Sequence, residues 1–76
     1  MEAKKRVAGV KQSRKAIREG RASRVYLAKD ADPAIVDPIR AECAAAGVPV
    51  EEGRTMAQIG RAFGIAVGAA VAAELR

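Results

Sequence analysis

Val25, Tyr26 and Leu27 stand together as a short apolar run between Ser23-Arg24 and Lys29-Asp30. A continuous run this short suits a strand covered on both faces. Upstream the period changes: Val10, Ser13, Ala16 and Ile17 mark a narrow inner face, while Lys11, Lys15 and Arg18 recur at i, i+4 and i+7 on another. The spacing predicts a helix over residues 11–19, stopped by Gly20, with three cations in one stripe. Val7 and Ala8 predict a short strand leading to Gly9. Residues 1–6 form a charged end expected to fray.

Downstream, "DADPAIVDPIRAECAAAG" holds two Asp-Pro pairs, Asp32-Pro33 and Asp37-Pro38, each with the look of a cap followed by proline at the first helical position. Because proline interrupts a helix interior, the pattern predicts a turn over 33–36 and the main helix over 38–46, closed by Gly47. "VPVEEG" predicts a second strand. Thr55 is expected to cap a short helix, "MAQIGRAFG", whose Met56, Ile59 and Phe63 are spaced to face a core. The last apolar segment, "VGAAVAAEL", fits a helix by alanine content and a buried strand by position. The alternation of strand and helix from Val25 onward decides for a strand, since a central strand under close-packed helices accepts small residues. The expected architecture is α/β: a single domain over residues 1–76, with helices on both sides of a small mixed sheet.

Gly60, Gly64 and Gly68 repeat the spacing by which membrane helices pack, but Arg61 lies inside the pattern. The apolar run over residues 65–73 is about half of the roughly 20 residues a spanning helix needs, so no membrane partner is expected. Three glycines in one helix in water would cost about 1 kcal/mol each relative to alanine. "FGIAVGAA" therefore predicts a loop between helix and strand, either a plain turn or a place where backbone comes close to a ligand.

A chain of 76 residues buries only about 60 to 65% of its unfolded surface. Cys43 is the only cysteine and histidine is absent, which excludes a disulfide framework and a Cys/His zinc site. A reducing, cytoplasmic setting is expected, with no leader or signal segment. Net charge is +5 and unevenly spread: ten Lys/Arg face only Glu2 and Glu19 up to Lys29, whereas four basic residues face seven acidic ones from Asp30 onward. Such asymmetry points to a polyanion, because each phosphate neutralised releases counterions and adds affinity irrespective of sequence. Tyr26 and Phe63 are the only aromatic residues, too few for a platform that stacks successive bases.

Catalytic chemistry is poorly supplied. Without histidine the usual base near neutral pH is missing. Ser13, Ser23 and Thr55 have no evident activating partner, and Cys43 falls among alanines as a core thiol. Asp30, Asp32 and Asp37 form a cluster that could suggest magnesium, but capping and charge balance explain it more simply. Neither phosphate-binding glycine motif, "GxxxxGK" or "GxGxxG", occurs. The expectation is a nonenzymatic protein with no cofactor and no metal.

Three segments in order, "GVKQSRKAIREG" (9–20), "VYLAKDADP" (25–33) and "IGRAFGIAVGAA" (59–70), resemble the bacterial branch of the kink-turn-binding ribosomal protein superfamily of L7Ae and L30e. The resemblance spans nearly the whole chain from Val7 to Leu75. It implies a three-layer α/β/α sandwich that binds kink-turn RNA, a bend in a duplex flanked by tandem sheared G·A pairs. In that family a "G-x-[NK]-[EQ]-x-x-K" stretch opens a helix that enters the groove at the G·A pairs, which carries over onto Gly9, Lys11, Gln12 and Lys15. The loop at Ile65, Ala66, Val67 and Gly68 corresponds to one that packs on the bulged nucleotides, with Arg61 supporting a backbone contact nearby. Arg18 extends the cationic stripe. The partner implied is a structured RNA, ribosomal or regulatory, bound by a monomer.

The residues agree with that mechanism on their own terms. A helix amino terminus offers free N–H groups and partial positive charge to phosphate. Lysine is a suitable donor to guanine O6 and N7. Ordinary A-form duplex hides those atoms in a deep, narrow groove, so a protein that reads them needs RNA opened by a bend. Two motifs depart from the wider superfamily: Lys11-Gln12 stands where archaeal and eukaryotic members have Asn-Glu, and Ala66 replaces the glutamate of "GIEVG". The family's amino-terminal helix also looks shortened. The competing expectation is a general basic nucleic-acid binder without kink-turn selectivity.

Overall fold

The computed structural model describes residues 5–65 and 67–76. In chain order it comprises β1 (Arg6–Ala8), α1 (Val10–Arg18), β2 (Ala22–Leu27), α2 (Pro33–Ala46), β3 (Val50–Glu51), α3 (Met56–Ala62) and β4 (Val71–Leu75). The strands form one sheet in the order β1-β4-β2-β3. β4 runs antiparallel to both β1 and β2, and β2 pairs in parallel with β3, so the sheet is mixed.

Period-two alternation sorts the strand residues between two cores. Val25, Leu27, Val71, Ala73 and Leu75 pack with Ala16 and Ile17 of α1 and Val36, Ile39 and Cys43 of α2. Tyr26 and Ala72 point the other way and pack with Ile59 of α3, bordered by Met56 and Phe63. The result is the expected three-layer α/β/α sandwich, with α1 and α2 on one face and α3 on the other. The closing segment is a strand, and Ala72 and Ala73 are completely buried opposite Tyr26 and Val25. Small side chains there leave room for helices on both faces.

The helix ends follow local chemistry. Thr55 caps α3 in a full capping box: its hydroxyl accepts from the Gln58 N–H at 3.1 Å while Gln58 Oε1 accepts from the Thr55 N–H at 2.9 Å. α1 closes with Gly20 N–H to the Ile17 carbonyl and Arg21 N–H to the Ala16 carbonyl, and α2 repeats this with Gly47 to Ala44 and Val48 to Cys43.

Three expectations are corrected. α2 is one helix from Pro33 to Ala46, with Pro38 inside it. Asp32 alone caps it, accepting from the Ala34 N–H at 2.9 Å. Asp37 is an internal residue paired with Arg40 at 2.6 Å. Proline forfeits one backbone bond, to the Ala34 carbonyl, but Ala34 and Pro38 are both exposed, so water can reach that carbonyl. Burial of Val36, Ile39 and Cys43 along one face outweighs the loss. Second, "VPVEEG" contributes only the two-residue strand β3. Third, two residues of the end expected to fray are tied to β4, the Lys5 carbonyl accepting from the Leu75 N–H at 2.9 Å and Arg6 pairing with Glu74 in β1; the rest of that expectation, over residues 1–4, lies outside the described residues.

Candidate nucleic-acid interface

α1 begins at Gly9, whose backbone takes φ 104° and ψ 154°, a conformation essentially confined to glycine. No side chain caps this end. The first helical bond runs from the Ser13 N–H to the Gly9 carbonyl at 3.0 Å. The N–H groups of Val10, Lys11 and Gln12 therefore precede the internal ladder and point outward with the positive end of the helix dipole. A β-carbon on Gly9 would meet nothing within 4 Å, so the surface in front of this turn is open.

Backbone bonds gather four segments at the same end of the sheet. Gly9 N–H donates to the Val71 carbonyl at 2.8 Å, Ala28 N–H to Ala70 at 2.9 Å, Lys29 N–H to Arg54 at 2.8 Å and Ala69 N–H to Met56 at 3.1 Å. Asp30 completes the set by accepting from the Met56 N–H at 2.8 Å. The start of α1, the exit of β2, the start of α3 and the loop before β4 thus form one continuous rim.

That loop is folded tightly onto α3. Gly64 N–H reaches the Arg61 carbonyl at 3.2 Å and Ile65 N–H the Gly60 carbonyl at 2.9 Å, turning the chain back. Gly60 and Gly68 make the contact possible: a β-carbon on Gly60 would lie 2.5 Å from the Val67 carbonyl oxygen, and one on Gly68 3.1 Å from the Met56 side chain. Ile65 and Val67 project outward, Val67 with 74% of its surface exposed. With Ala57, Arg61 and Gly68 they line a cleft of about 260 Å³. Ala66, expected to contact the bulge, lies outside the described residues.

The sequence-predicted cations divide. Lys11, Gln12 and Lys15 are exposed, and no ion pair involves either lysine among the described residues. Arg18 is exposed too, but it turns toward α2 and lies 3.5 Å from Glu42. Arg14 holds the same carboxylate at 2.6 Å. The Arg14 hydrogen bond keeps the Glu42 carboxyl below its ordinary range, reinforced by both arginine charges. The unpaired part of the stripe is thus Lys11 and Lys15, and Arg18 is shared with the α1–α2 junction.

Sequence reasoning missed Lys29 and Arg54, which the Lys29–Arg54 backbone bond places side by side on the rim. Their signal was available only as basic residues following the carboxyl ends of two predicted strands. The other candidate groups have structural employment. Asp30 and Asp32 accept backbone N–H groups, and no cluster of three metal-ligating side chains occurs among the described residues. Cys43 is completely buried, and burial pushes its thiol above the ordinary range. No described helix is long and apolar enough to cross a membrane.

The family described as "Ribosomal protein L7Ae/L30e/S12e/Gadd45 family" matches residues 1–76. An RNA-binding protein of Geobacillus sp. (strain WCH70) is 42% identical over 76 residues, covering 100% of this chain and 93% of that protein. An RNA-binding protein of Caldanaerobacter subterraneus subsp. tengcongensis is 42% identical over 71 residues, 93% of this chain and 87% of the other. Among solved structures, the Giardia lamblia 15.5kD RNA binding protein superposes with a TM-score of 0.86 at 30% identity; the match covers 93% of this chain and 60% of that protein's length. The family match over the whole chain, with 42% identity to relatives covered almost end to end, leads to one assignment: the chain belongs to the ribosomal protein L7Ae/L30e/S12e/Gadd45 family.

Proposed function

We propose that this protein is a noncatalytic RNA-binding protein that recognises and stabilises kink-turn RNA, in the ribosome or in a regulatory RNA. The observation that carries the reading is the 2.8 Å bond from the Gly9 N–H to the Val71 carbonyl, which sets a cationic helix start beside an apolar loop on one rim. A helix start with free N–H groups and two unpaired lysines suits phosphate and guanine acceptors. Exposed Ile65 and Val67 suit unstacked bases. A bent duplex with a bulge presents both surfaces together, whereas a straight duplex presents only phosphates and a closed groove. The RNA-binding proteins of Geobacillus and Caldanaerobacter that this chain resembles support the RNA partner.

Lys11→Ala and Lys15→Ala test the reading. Each is expected to weaken binding to a kink-turn with tandem G·A pairs by about 1–3 kcal/mol, and to weaken binding to a straight duplex of equal length far less. Titration of labelled RNAs at several salt concentrations measures both. Equal losses on the two RNAs would leave only general electrostatic attraction, the competing reading.

A further inference from the structure

The arginines of this chain have different employment. Arg14 and Arg18 hold Glu42, Arg21 holds Glu19, Arg24 lies 3.6 Å from Glu51, and Arg40 bridges Asp37 and Glu52. Arg6, Arg54, Arg61 and Arg76 have no ion pair among the described residues. Arg54 is instead held by a ring, its guanidinium 5.2 Å from the centroid of Tyr26. Tyr26 meets Phe63 edge-on at 5.4 Å, and Arg6 sits 5.5 Å over Phe63 while donating to the Ala62 carbonyl at 2.8 Å. A guanidinium held through its face keeps its in-plane N–H fork for another acceptor. Arg54 is thus positioned without being neutralised.

Arg54, Gln58 and Arg61 follow one another at i, i+4 and i+7 and, with Ala62, line a cleft of about 270 Å³ on the outer side of α3. No carboxylate is among the residues lining it. Gln58 spends its oxygen on the Thr55 N–H, which leaves its amide nitrogen as a donor. The cleft therefore presents donors and positive charge, the chemistry of a phosphate site. Its position is informative as well. Arg61 also lines the cleft with Ile65, Val67 and Gly68, so the second cleft adjoins the apolar loop on its α3 side, while the Gly9–Val71 bond sets the α1 start where that loop enters β4.

We propose that the Arg54–Gln58–Arg61 cleft binds the phosphate backbone of the second duplex arm, the arm that leaves the bulge on the side away from α1. This rests on the reading of the rim as a kink-turn site. A duplex bent at the loop directs one arm to α1 and the other past α3, and the two cationic surfaces hold the angle between them.

The test uses the full chain with three RNAs: a kink-turn with a full helical turn in each arm, the same RNA with the arm beyond the bulge trimmed to its closing pairs, and a straight duplex. Arg54→Gln is expected to weaken binding to the long-armed RNA by about fivefold and to lower its salt slope by about one. Affinity for the trimmed RNA falls by much less. Arg54→Lys, which keeps the charge, retains most of the long-armed affinity. No loss on the long-armed RNA, or an equal loss on both, overturns the proposal. The kink-turn reading fails separately, by equal wild-type affinity for the bent and straight RNAs.

Discussion

Gly60 is enclosed by its own chain, since a β-carbon there would stand 2.5 Å from the Val67 carbonyl oxygen and 3.2 Å from the Gly68 Cα. Both neighbours are backbone, which cannot swing aside as a side chain does. Gly60→Ala is therefore expected to destabilise the fold by about 1–3 kcal/mol, read as a lower urea midpoint. It should also lower affinity for the bent RNA by pushing the 65–68 loop off α3; an unchanged midpoint would contradict the close contact. The sequence presented Gly60, Gly64 and Gly68 as one periodic pattern, yet each has a separate task. Gly60 lies inside α3, Gly64 turns the chain at φ 71°, and Gly68 lets the loop lie on Met56. Spacing alone carries no information on which segment folds back upon which.

At the scale of elements, α2 shows local preference overruled by packing. The Asp37-Pro38 pair has the chemistry of a helix start, and Asp32-Pro33 has it too, but only the first pair in the chain acts as one. A break at Pro38 would separate Val36 from Ile39 and Cys43, which all enter the same core. Proline within a helix costs about 3 kcal/mol relative to alanine, partly offset by its restriction of the unfolded chain. Pro38→Ala is expected to stabilise the protein by about 1–2 kcal/mol, measured by thermal or urea unfolding. Destabilisation would mean that the ring itself contributes packing. α1 and α3 were more legible, because a glycine stop or a Thr-x-x-Gln box depends on residues close in sequence. The two-residue β3 was less so, since its length is set by how far it runs beside β2.

For the whole molecule, charge joins stability to function. Glu42 ties α1 to α2 through Arg14 and Arg18, and Arg40 ties α2 to Glu52 near β3. Hydrogen bonds from Arg14 and Arg40 hold the Glu42 and Glu52 carboxyls below their ordinary range. The folded state thus binds fewer protons than the unfolded one near the ordinary glutamate value of about 4.3. The stability from these pairs is complete above that value and is lost as pH falls through the lower, folded values. The melting temperature should accordingly hold level above about pH 5 and drop on acidification. Glu42→Gln should melt lower at neutral pH and converge with wild type in acid; parallel curves would show that the pair does not contribute. The same pairing consumes the arginines of the α1–α2 side, leaving Lys11, Lys15, Lys29, Arg54 and Arg61 without an ion pair among the described residues.

Patterning along the chain was enough to determine the α/β class, the order of elements, the buried alanine-rich last strand and the polyanion preference. Each depends on side-chain period, local capping or total charge, which are properties of neighbours in sequence. The family resemblance added the Gly9–Lys15 helix start and the 65–68 loop as one site. Only the tertiary structure decided that α2 runs unbroken through Pro38, that Arg18 is shared with Glu42, and that Arg54 is held over Tyr26 beside Arg61. Those outcomes join residues far apart in the chain, and the sheet order β1-β4-β2-β3 settles which of them meet.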